Sequence, residues 1–279
     1  VRPLSFPGGD IGSLAVHGTV NDLAVCGARP RHLSASFILE EGLPLIELER
    51  IVTSMAEAAR ACDVTIVTGD TKVVERGKGD GVFINTAGVG RVLPGVNVSG
   101  DLARPGDSVI VSGTLGDHGV AIMSQRKGLQ FATALESDSA SLNGLVKAMA
   151  GVGGEAIRVL RDPTRGGLAA TLNEIAAQSG VGIALKEAAI PLRQEVKGAC
   201  ELLGLDPLNV ANEGKLIAIV EAASAGPILS AMKRHPLGRD AAIVGSVSDD
   251  AMQLVRMVTH IGGERVIDWL HGEQLPRIC

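Results

Sequence analysis

Apolar residues recur every three or four positions in two stretches of the first third of the chain, and this spacing predicts two helices. The first lies between Asp10, a residue type that commonly caps a helix N-terminus, and Gly27, a typical helix stop. The second covers residues 44–61 and opens with a proline, which is favoured in the first turn of a helix. Both patterns place an apolar face toward a core.

Other stretches alternate apolar and polar residues, or form short β-branched runs, and these patterns predict strands. In the first half, strands are predicted at residues 32–39, 64–67 and 82–92. The second half repeats the mixture. Its predicted helices cover residues 141–149, 167–178, 192–203 and 224–233, and its predicted strands cover residues 108–111, 183–185, 216–220, 243–247, 253–258 and 266–269.

These elements predict a mixed α/β or α+β chain of two domains. The clearest boundary lies at residues 102–107, where Arg104-Pro105-Gly106-Asp107 precedes a new strand. We therefore expect one domain over residues 1–103, a second over residues 104–270, and a flexible tail over residues 271–279. The sequence opens at Val1 within an apparent strand, so we expect the native N-terminus to precede it.

Composition excludes several classes of protein. Hydrophobic residues make up 46 % of the 279 residues, which is ample for a sizeable core. Aromatic residues make up only 2 %, and the formal net charge is −5, so neither a base-stacking platform nor a basic surface for nucleic acid is expected. No apolar run is long enough to span a membrane. The four cysteines lack CxxC spacing, which argues against a zinc site or disulfide framework and fits a reducing cytoplasm.

Two polar stretches of the first half are candidates for ligand binding. Asn21 and Asp22 interrupt an apolar helix, although a solvated helical turn would also explain them. Residues 68–72 (TGDTK) directly follow a predicted strand, where α/β folds tend to bind ligands. Asp70 would offer magnesium an oxygen ligand and Lys72 would offer phosphate an ammonium group. A charged hairpin turn explains the same stretch equally well.

Two further stretches lie in the second half. In residues 161–167 (RDPTRGG), Gly166 and Gly167 would let an anion approach the N–H groups of a helix start. Asp162 could hold a cation there and Arg165 a phosphate, although an ordinary capping loop is the alternative. Glu213 precedes a strand and is a candidate general base or a solvated loop carboxylate. The chain has no Walker A loop and no GxGxxG fingerprint, yet the combined set suits magnesium-bound polyphosphate.

The last residues, Pro276-Arg277-Ile278-Cys279, end a polar stretch that begins at His271. A chain of this length extends up to roughly 30 Å, so a thiol at its end could be loaded in one place and processed in another. A frayed terminus that happens to finish in cysteine explains the pattern equally well.

The four stretches and the tail resemble, in order and over essentially the whole chain, the HypE family of hydrogenase maturation factors. The matching motifs are FPGGDIG from Phe6, GTVNDLA from Gly18, TGDTK from Thr68, RDPTRGG from Arg161, ANEG from Ala211 and PRIC from Pro276. The tail is the most specific of these motifs. Aminoimidazole ribonucleotide synthetases and selenophosphate synthetases share the loops but not the terminal cysteine.

The resemblance implies a PurM-like fold of two α/β domains, whose N-terminal domains pair in a homodimer with ATP in the cleft. It implies a cytoplasmic enzyme that uses ATP to dehydrate a carbamoyl group on Cys279 to a thiocyanate. That group would supply the cyanide ligand of the [NiFe]-hydrogenase iron. The implied partners are a HypF carbamoyltransferase, which loads Cys279, and a HypC–HypD complex, which accepts the cyanide.

The resemblance also implies roles for individual residues, with ATP and Mg²⁺ as cofactors. The implied catalytic residues are Cys279, Glu213 as the base, and Lys72, which would neutralise charge on the transferred phosphoryl group. The implied magnesium ligands are Asp22, Asp70 and Asp162. The implied nucleotide contacts are Asn21, Asp22, Asp70, Thr71, Arg165, Gly166 and Gly167.

Two other classes of function fit part of the same pattern. A small-molecule synthetase of the same ATP-dependent superfamily, such as a selenophosphate or aminoimidazole ribonucleotide synthetase, would share the loops without needing Cys279. A non-catalytic adaptor would use the tail only as a docking peptide. The mass of the peptide that carries Cys279, after incubation with carbamoyl phosphate, ATP and the loading partner, distinguishes the three.

Overall fold

The first part of the chain folds as a three-stranded sheet with two helices on one face. The computed structural model describes residues 2–128 and 135–269. A hairpin of β1 and β2 leads into α1, and the remaining elements follow in the order strand, helix, strand, strand. Their bounds are β1 (Ser5–Phe6), β2 (Gly9–Asp10), α1 (Ile11–Val25), β3 (Ala28–Glu40), α2 (Leu45–Ala61), β4 (Thr65–Val74) and β5 (Val82–Val92).

The central strand of this sheet is β3, which pairs in parallel with β4 and antiparallel with β5. Leu33 and Ala35 of β3 pack against the helices, where they meet Val16 and Val20 of α1 and Met55 of α2. The alternate residues of β3 face away from both helices. We call this opposite side the outer face of the sheet.

The start of α1 is fixed by a side-chain cap. The Asp10 Oδ1 atom accepts hydrogen bonds from the backbone N–H groups of Gly12 and Ser13, both at 2.9 Å. Such a cap typically stabilises a helix by about 1 kcal/mol. The Ser54 hydroxyl of α2 donates to the same oxygen at 2.7 Å, so the cap also joins the two helices.

The second part of the chain forms a seven-stranded sheet in the order β12-β11-β8-β10-β6-β9-β7. Its strands are β6 (Ser108–Val111), β7 (Ile157–Arg161), β8 (Gly182–Lys186), β9 (Ile217–Val220), β10 (Ala242–Ser248), β11 (Val255–Val258) and β12 (Glu264–Val266). Its helices are α3 (Asp117–Lys127), α4 (Asn143–Gly153), α5 (Gly167–Ser179), α6 (Gln194–Leu203) and α7 (Ala222–Arg234).

This sheet is buried on both faces. Val109 and Val111 of β6 pack on the side of α5, whereas Ile110 packs on the side of α4 and α7. Ala24 and Val25, at the end of α1, belong to the same apolar cluster as Ile110. The first helix of the chain is therefore part of the core of the second domain, and this contact fixes how the two domains sit together.

The structure confirms the predicted helices α1, α2 and α4–α7 and corrects the prediction at several other elements. The sequence pattern does not predict α3 because residues on all sides of this helix are buried between Asp117 and Ser124, so no polar face marks it. The short strands β1 and β2 and the strand β7 are also not predicted. The predicted strand at residues 266–269 lies earlier in the chain, as β12 (Glu264–Val266). Within residues 2–128 and 135–269, no helix combines the length and apolar character needed to cross a membrane.

Candidate active site

Three loops of the second domain meet at one end of the seven-stranded sheet. Strands β6 and β7 each pair antiparallel with β9, so the ends of β6 and β7 lie beside the start of β9. Asn212, just before β9, joins the loops. Its side-chain oxygen accepts from the Gly116 N–H at 2.8 Å, and its amide nitrogen donates to the Pro163 carbonyl at 3.0 Å. Residues far apart in the sequence are thereby brought to one place.

Glu213, the next residue, is 5 % exposed and is held through its backbone from two sides. Its N–H donates to the Asp138 Oδ1 atom at 3.0 Å. Its carbonyl accepts from the Asn21 side chain of α1 at 3.1 Å. The two domains therefore fix Glu213 jointly.

Burial and neighbouring charges raise the pKa of Glu213 to about 8. Burial is the largest cause, and the carboxylates of Asp138, Asp162 and Asp22 add to it, while Arg165 acts in the opposite direction. A carboxyl group whose pKa is near neutrality can take up and release protons at working pH, as a general base must.

Asp162 lies close enough to Asp22 to affect the pKa of Asp22. The pKa of Asp22 is raised to about 6 by desolvation and then by the Asp162 carboxylate, and Arg161 opposes the rise. The Asp22 side chain is nevertheless exposed to solvent. The pKa of Asp162 is raised by burial, and hydrogen bonding and Arg161 oppose that rise. Two such carboxylates favour binding of a cation.

The structure assigns Asn21 a role different from the predicted nucleotide contact. Asn21 is 2 % exposed, and its amide nitrogen donates to the carbonyls of Ala140 and Glu213 at 2.9 and 3.1 Å. Its side-chain oxygen accepts from the Leu142 N–H at 2.8 Å. Both N–H groups of the Asn21 side chain are used within the protein, so this side chain has no donor left for a ligand. Asn21 instead positions the Glu213 loop, by which we mean residues 210–216.

Gly166 and Gly167, which were predicted to let an anion approach, also shape the start of α5. Gly167 is buried at the start of α5, and a Cβ there would lie 2.5 Å from the Leu208 carbonyl oxygen. The glycine thus allows α5 to pack against the loop that precedes Glu213. Gly166 caps the helix with a positive φ of 76°, and Arg165 beside it is exposed. Two charged residues of this stretch affect the pKa of Glu213: the Asp162 carboxylate raises it and the Arg165 guanidinium lowers it.

Asp70, Thr71 and Lys72 lie within β4, not in a loop after it. Pairing with β3 continues along the whole of β4, which keeps the TGDTK stretch extended. Asp70 pairs with Ser36 and Lys72 with Ile38, so both side chains lie on the outer face, and all three residues are exposed. Thr71 pairs with Phe37 on the helix side.

The three predicted magnesium ligands do not meet within one chain. Across residues 2–128 and 135–269, no group of three or more His, Cys, Asp or Glu side chains is placed to hold a metal ion. Asp22 and Asp162 lie together, and Asp70 lies on the outer face. Cys279, with the rest of the predicted tail at residues 271–279, is outside the described residues.

Sequence reasoning missed Asp138 and Lys215, which form a buried ion pair beside Glu213. The Lys215 Nζ atom lies 3.0 Å from the Asp138 Oδ2 atom, and the two side chains are 12 % and 4 % exposed. Asp138 lies in a segment without helix or strand, so no periodicity distinguished it from a surface loop residue.

Two family models match the chain: AIR synthase related protein, N-terminal domain, over residues 1–92, and AIR synthase related protein, C-terminal domain, over residues 104–257. The carbamoyl dehydratase HypE of Rhizobium leguminosarum bv. viciae is 62 % identical over 279 residues, covering all of this chain and 80 % of the relative. The carbamoyl dehydratase HypE of Escherichia coli K12 is 51 % identical, covering all of this chain and 82 % of the relative.

Solved structures agree with these sequence matches. A crystal structure of hydrogenase maturation protein HypE in complex with ATP is 54 % identical, with a TM-score of 0.96, and covers 100 % of this chain and 84 % of that one. A HypE–HypF complex is 53 % identical, with a TM-score of 0.94, and covers 97 % of this chain and 88 % of that one. Thiamine monophosphate kinase from Aquifex aeolicus, 20 % identical with a TM-score of 0.70, covers 94 % of this chain and 82 % of that one and shares the fold alone.

Proposed function

This chain belongs to the HypE family of carbamoyl dehydratases, and from that premise we propose which of its residues carry out the reaction. It is an ATP-dependent enzyme of hydrogenase maturation that dehydrates a carbamoyl group to a thiocyanate. Neither a small-molecule synthetase nor a non-catalytic adaptor accounts for identity of this level along the whole chain.

We propose that Cys279 carries the carbamoyl group and that Glu213 is the base that takes the protons from its nitrogen. The observation that supports this role is the burial of Glu213 at the meeting point of three loops, where its pKa is about 8. A base with an ordinary carboxyl pKa would hold a proton from an amide-like nitrogen less well.

ATP is the second substrate of the proposed reaction, and it converts the carbamoyl oxygen into a phosphate that can leave. The residues at the site fit a magnesium nucleotide. Asp22 and Asp162 provide carboxylate oxygens, which Mg²⁺ prefers, and magnesium commonly uses one or two carboxylates together with phosphate oxygens. Arg165 lies beside Glu213 and supplies a guanidinium for phosphate. Backbone positioning by Asn21 and Asn212 holds this set in place.

Replacing Asp22 with asparagine is expected to raise the magnesium concentration that gives half-maximal ATP turnover by at least about tenfold, the scale found even for outer partners of metal sites. The amide keeps the shape but is a weaker ligand for a hard cation. Titrating magnesium at fixed ATP measures the shift. Asp101→Asn, which changes an exposed carboxylate of the interdomain linker, is the matched control. If both variants need the same magnesium concentration for half-maximal turnover, Asp22 is not a magnesium ligand.

We also propose that the protein is a homodimer that pairs through the outer face of the three-stranded sheet. Ile38, Phe83 and Val89 lie on this face and are 44 %, 51 % and 62 % exposed. Apolar side chains exposed together on a sheet favour a protein interface, and a stable one buries more than about 1,200 Å². Asp70 and Lys72 lie on the same face, so pairing would place them at the interface. We propose that they complete the nucleotide site there.

Phe83→Asp is expected to shift the protein from dimer to monomer, because a carboxylate cannot be buried in the interface without a partner. Light scattering at micromolar concentration measures the mass. Ile261→Asp is the matched control, since Ile261 is 84 % exposed in the turn between β11 and β12 and should leave the mass unchanged. A monomeric parent protein would contradict the proposed dimer.

The proposed reaction needs one partner that supplies the carbamoyl group and another that accepts the cyanide. A HypF carbamoyltransferase is proposed to load Cys279, as a relative is known in complex with HypF. A HypC–HypD complex is proposed to accept the cyanide.

Free thiols at Cys26, Cys62 and Cys200 support a reducing, cytoplasmic location. When the full chain is incubated with carbamoyl phosphate, MgATP and a HypF carbamoyltransferase, the Cys279 peptide should gain a carbamoyl group and then lose one water. A peptide of unchanged mass would contradict the proposal.

A further inference from the structure

We propose that Asp138 is a positioning residue for the dehydration, whose carboxylate holds the Glu213 backbone and the Lys215 side chain and thereby fixes the direction of the Glu213 side chain. The inference rests on the proposed role of Glu213 as the base. No part of it requires Asp138 to touch the carbamoyl group or the nucleotide.

The contacts of Asp138 support this role directly. One carboxylate oxygen accepts the Glu213 N–H at 3.0 Å, and the other lies 3.0 Å from the Lys215 ammonium. The two partners flank Gly214, so the side chain of Asp138 holds the chain on both sides of this glycine. A Cβ at Gly214 would lie 1.8 Å from the Asp138 carbonyl oxygen, which shows that the two backbone segments are in direct contact. The Glu213 loop therefore has little freedom to move away.

The segment that carries Asp138 is itself fixed from several directions. The Ser137 N–H donates to the Pro7 carbonyl at 2.8 Å. The Ser137 hydroxyl lies 2.8 Å from the His118 ring, and the Ser139 hydroxyl lies 3.1 Å from the His17 ring. Residues 137–139 are therefore held by α1, by α3 and by the turn between β1 and β2. Loss of the Asp138 carboxylate should leave residues 137–139 in place and release the Glu213 loop.

The ion pair between Asp138 and Lys215 further restricts the position of Glu213. Asp138 and Lys215 are both almost completely buried, and a buried charge without its partner is strongly destabilising. Any movement of the Glu213 loop that separated the two charges would carry that cost. The pair thus penalises displaced positions of Glu213 more than a hydrogen bond alone would.

Asp138→Ala is expected to slow conversion of the carbamoylated Cys279 to thiocyanate by up to about 10²-fold, the scale for a displacement of about 1 Å at a reacting group. Loading of Cys279 and the dissociation constant for MgATP should stay within about twofold of the parent. Asp138→Asn keeps an acceptor for the Glu213 N–H but loses the charge that attracts Lys215, so an intermediate rate is expected. The rate is measured in a single turnover from the mass of the Cys279 peptide.

A double-substitution cycle separates positioning from a general structural effect. If Asp138 acts through Glu213, Asp138→Ala should slow the Glu213→Gln variant by less than about threefold, because residues that act as a unit are not additive. If the double variant is slower by the product of the two single rate losses, the inference is overturned. Asp138→Ala that converts at the parental rate would also overturn it while leaving Glu213 as the base. Glu213→Gln that converts at the parental rate would reject the base itself, and the inference with it.

Asp107→Ala is a matched control for the loss of a buried ion pair. Asp107 is 4 % exposed, accepts the Arg104 N–H at 2.9 Å, and pairs with the Arg158 Nε atom at 3.0 Å. Its contacts are of the same kind as those of Asp138 but lie at the domain boundary. Its variant should lose thermal stability and keep the parental rate of dehydration. A rate loss in Asp107→Ala equal to that in Asp138→Ala would show a stability effect and overturn the inference.

Discussion

Cys279→Ser is expected to abolish formation of thiocyanate while the protein stays folded and able to bind ATP. A serine hydroxyl is not ionised near neutral pH, whereas a free thiol has a pKa of about 8.5 and supplies the nucleophilic thiolate. A carbamoyl group on an oxygen would also yield a cyanate ester in place of a thiocyanate. The measurement is the mass of the residue-279 peptide after loading and MgATP.

The other cysteines allow a matched comparison. Cys26 is exposed at the end of α1, and Cys26→Ser should convert at the parental rate. Cys200 is buried, and burial followed by the Asp206 carboxylate raises the pKa of its thiol to about 11, which leaves it inert. Thiocyanate formation by Cys279→Ser would show that another group carries the carbamoyl, and the proposed role of the tail would be wrong.

Glu213→Gln is expected to accept the carbamoyl group normally and to convert it about 10²- to 10⁴-fold more slowly, the usual worth of a general base. The amide keeps the size of the side chain but cannot take a proton. Carbamoylated protein should therefore accumulate in the presence of MgATP. Glu155→Gln, at an exposed glutamate after α4, is the matched control and should behave like the parent.

The pH dependence of the parent tests the same residue. Burial raises the pKa of Glu213 to about 8, and only the deprotonated form can act as a base. The single-turnover rate should therefore rise as the pH increases toward and through about 8. The rise should be absent in Glu213→Gln. Persistence of the rise in that variant would assign the titration to another group, and a parental rate would leave Glu213 a structural loop residue.

Part of this site could be predicted from the sequence because the polar stretches stand beside clear apolar elements. Asp22 interrupts a predicted helix, and Asp162, Arg165 and Glu213 lie in polar stretches next to predicted elements. The structure brings them together because β6, β7 and β9 are adjacent antiparallel strands whose connecting loops share one end of the sheet.

Other features could not be predicted because their cause lies in tertiary contacts. The TGDTK stretch resembled a turn, and its extended form depends on pairing with β3. Asn21 looked like a polar interruption of a helix that could bind a ligand, yet its partners are backbone groups of residues 140, 142 and 213. Asp138 had no periodic neighbours, and only the folded loops show that it holds Glu213.

The most direct test of the central claim is a single-turnover time course on isolated protein that already carries a carbamoyl group on Cys279. After MgATP is added, the mass of the Cys279 peptide is followed in the parent and in Glu213→Gln. We expect loss of one water from the parent peptide, no loss without MgATP, and persistence of the carbamoylated peptide in the variant. Loss of water without MgATP, or at the same rate in both proteins, would contradict the central claim.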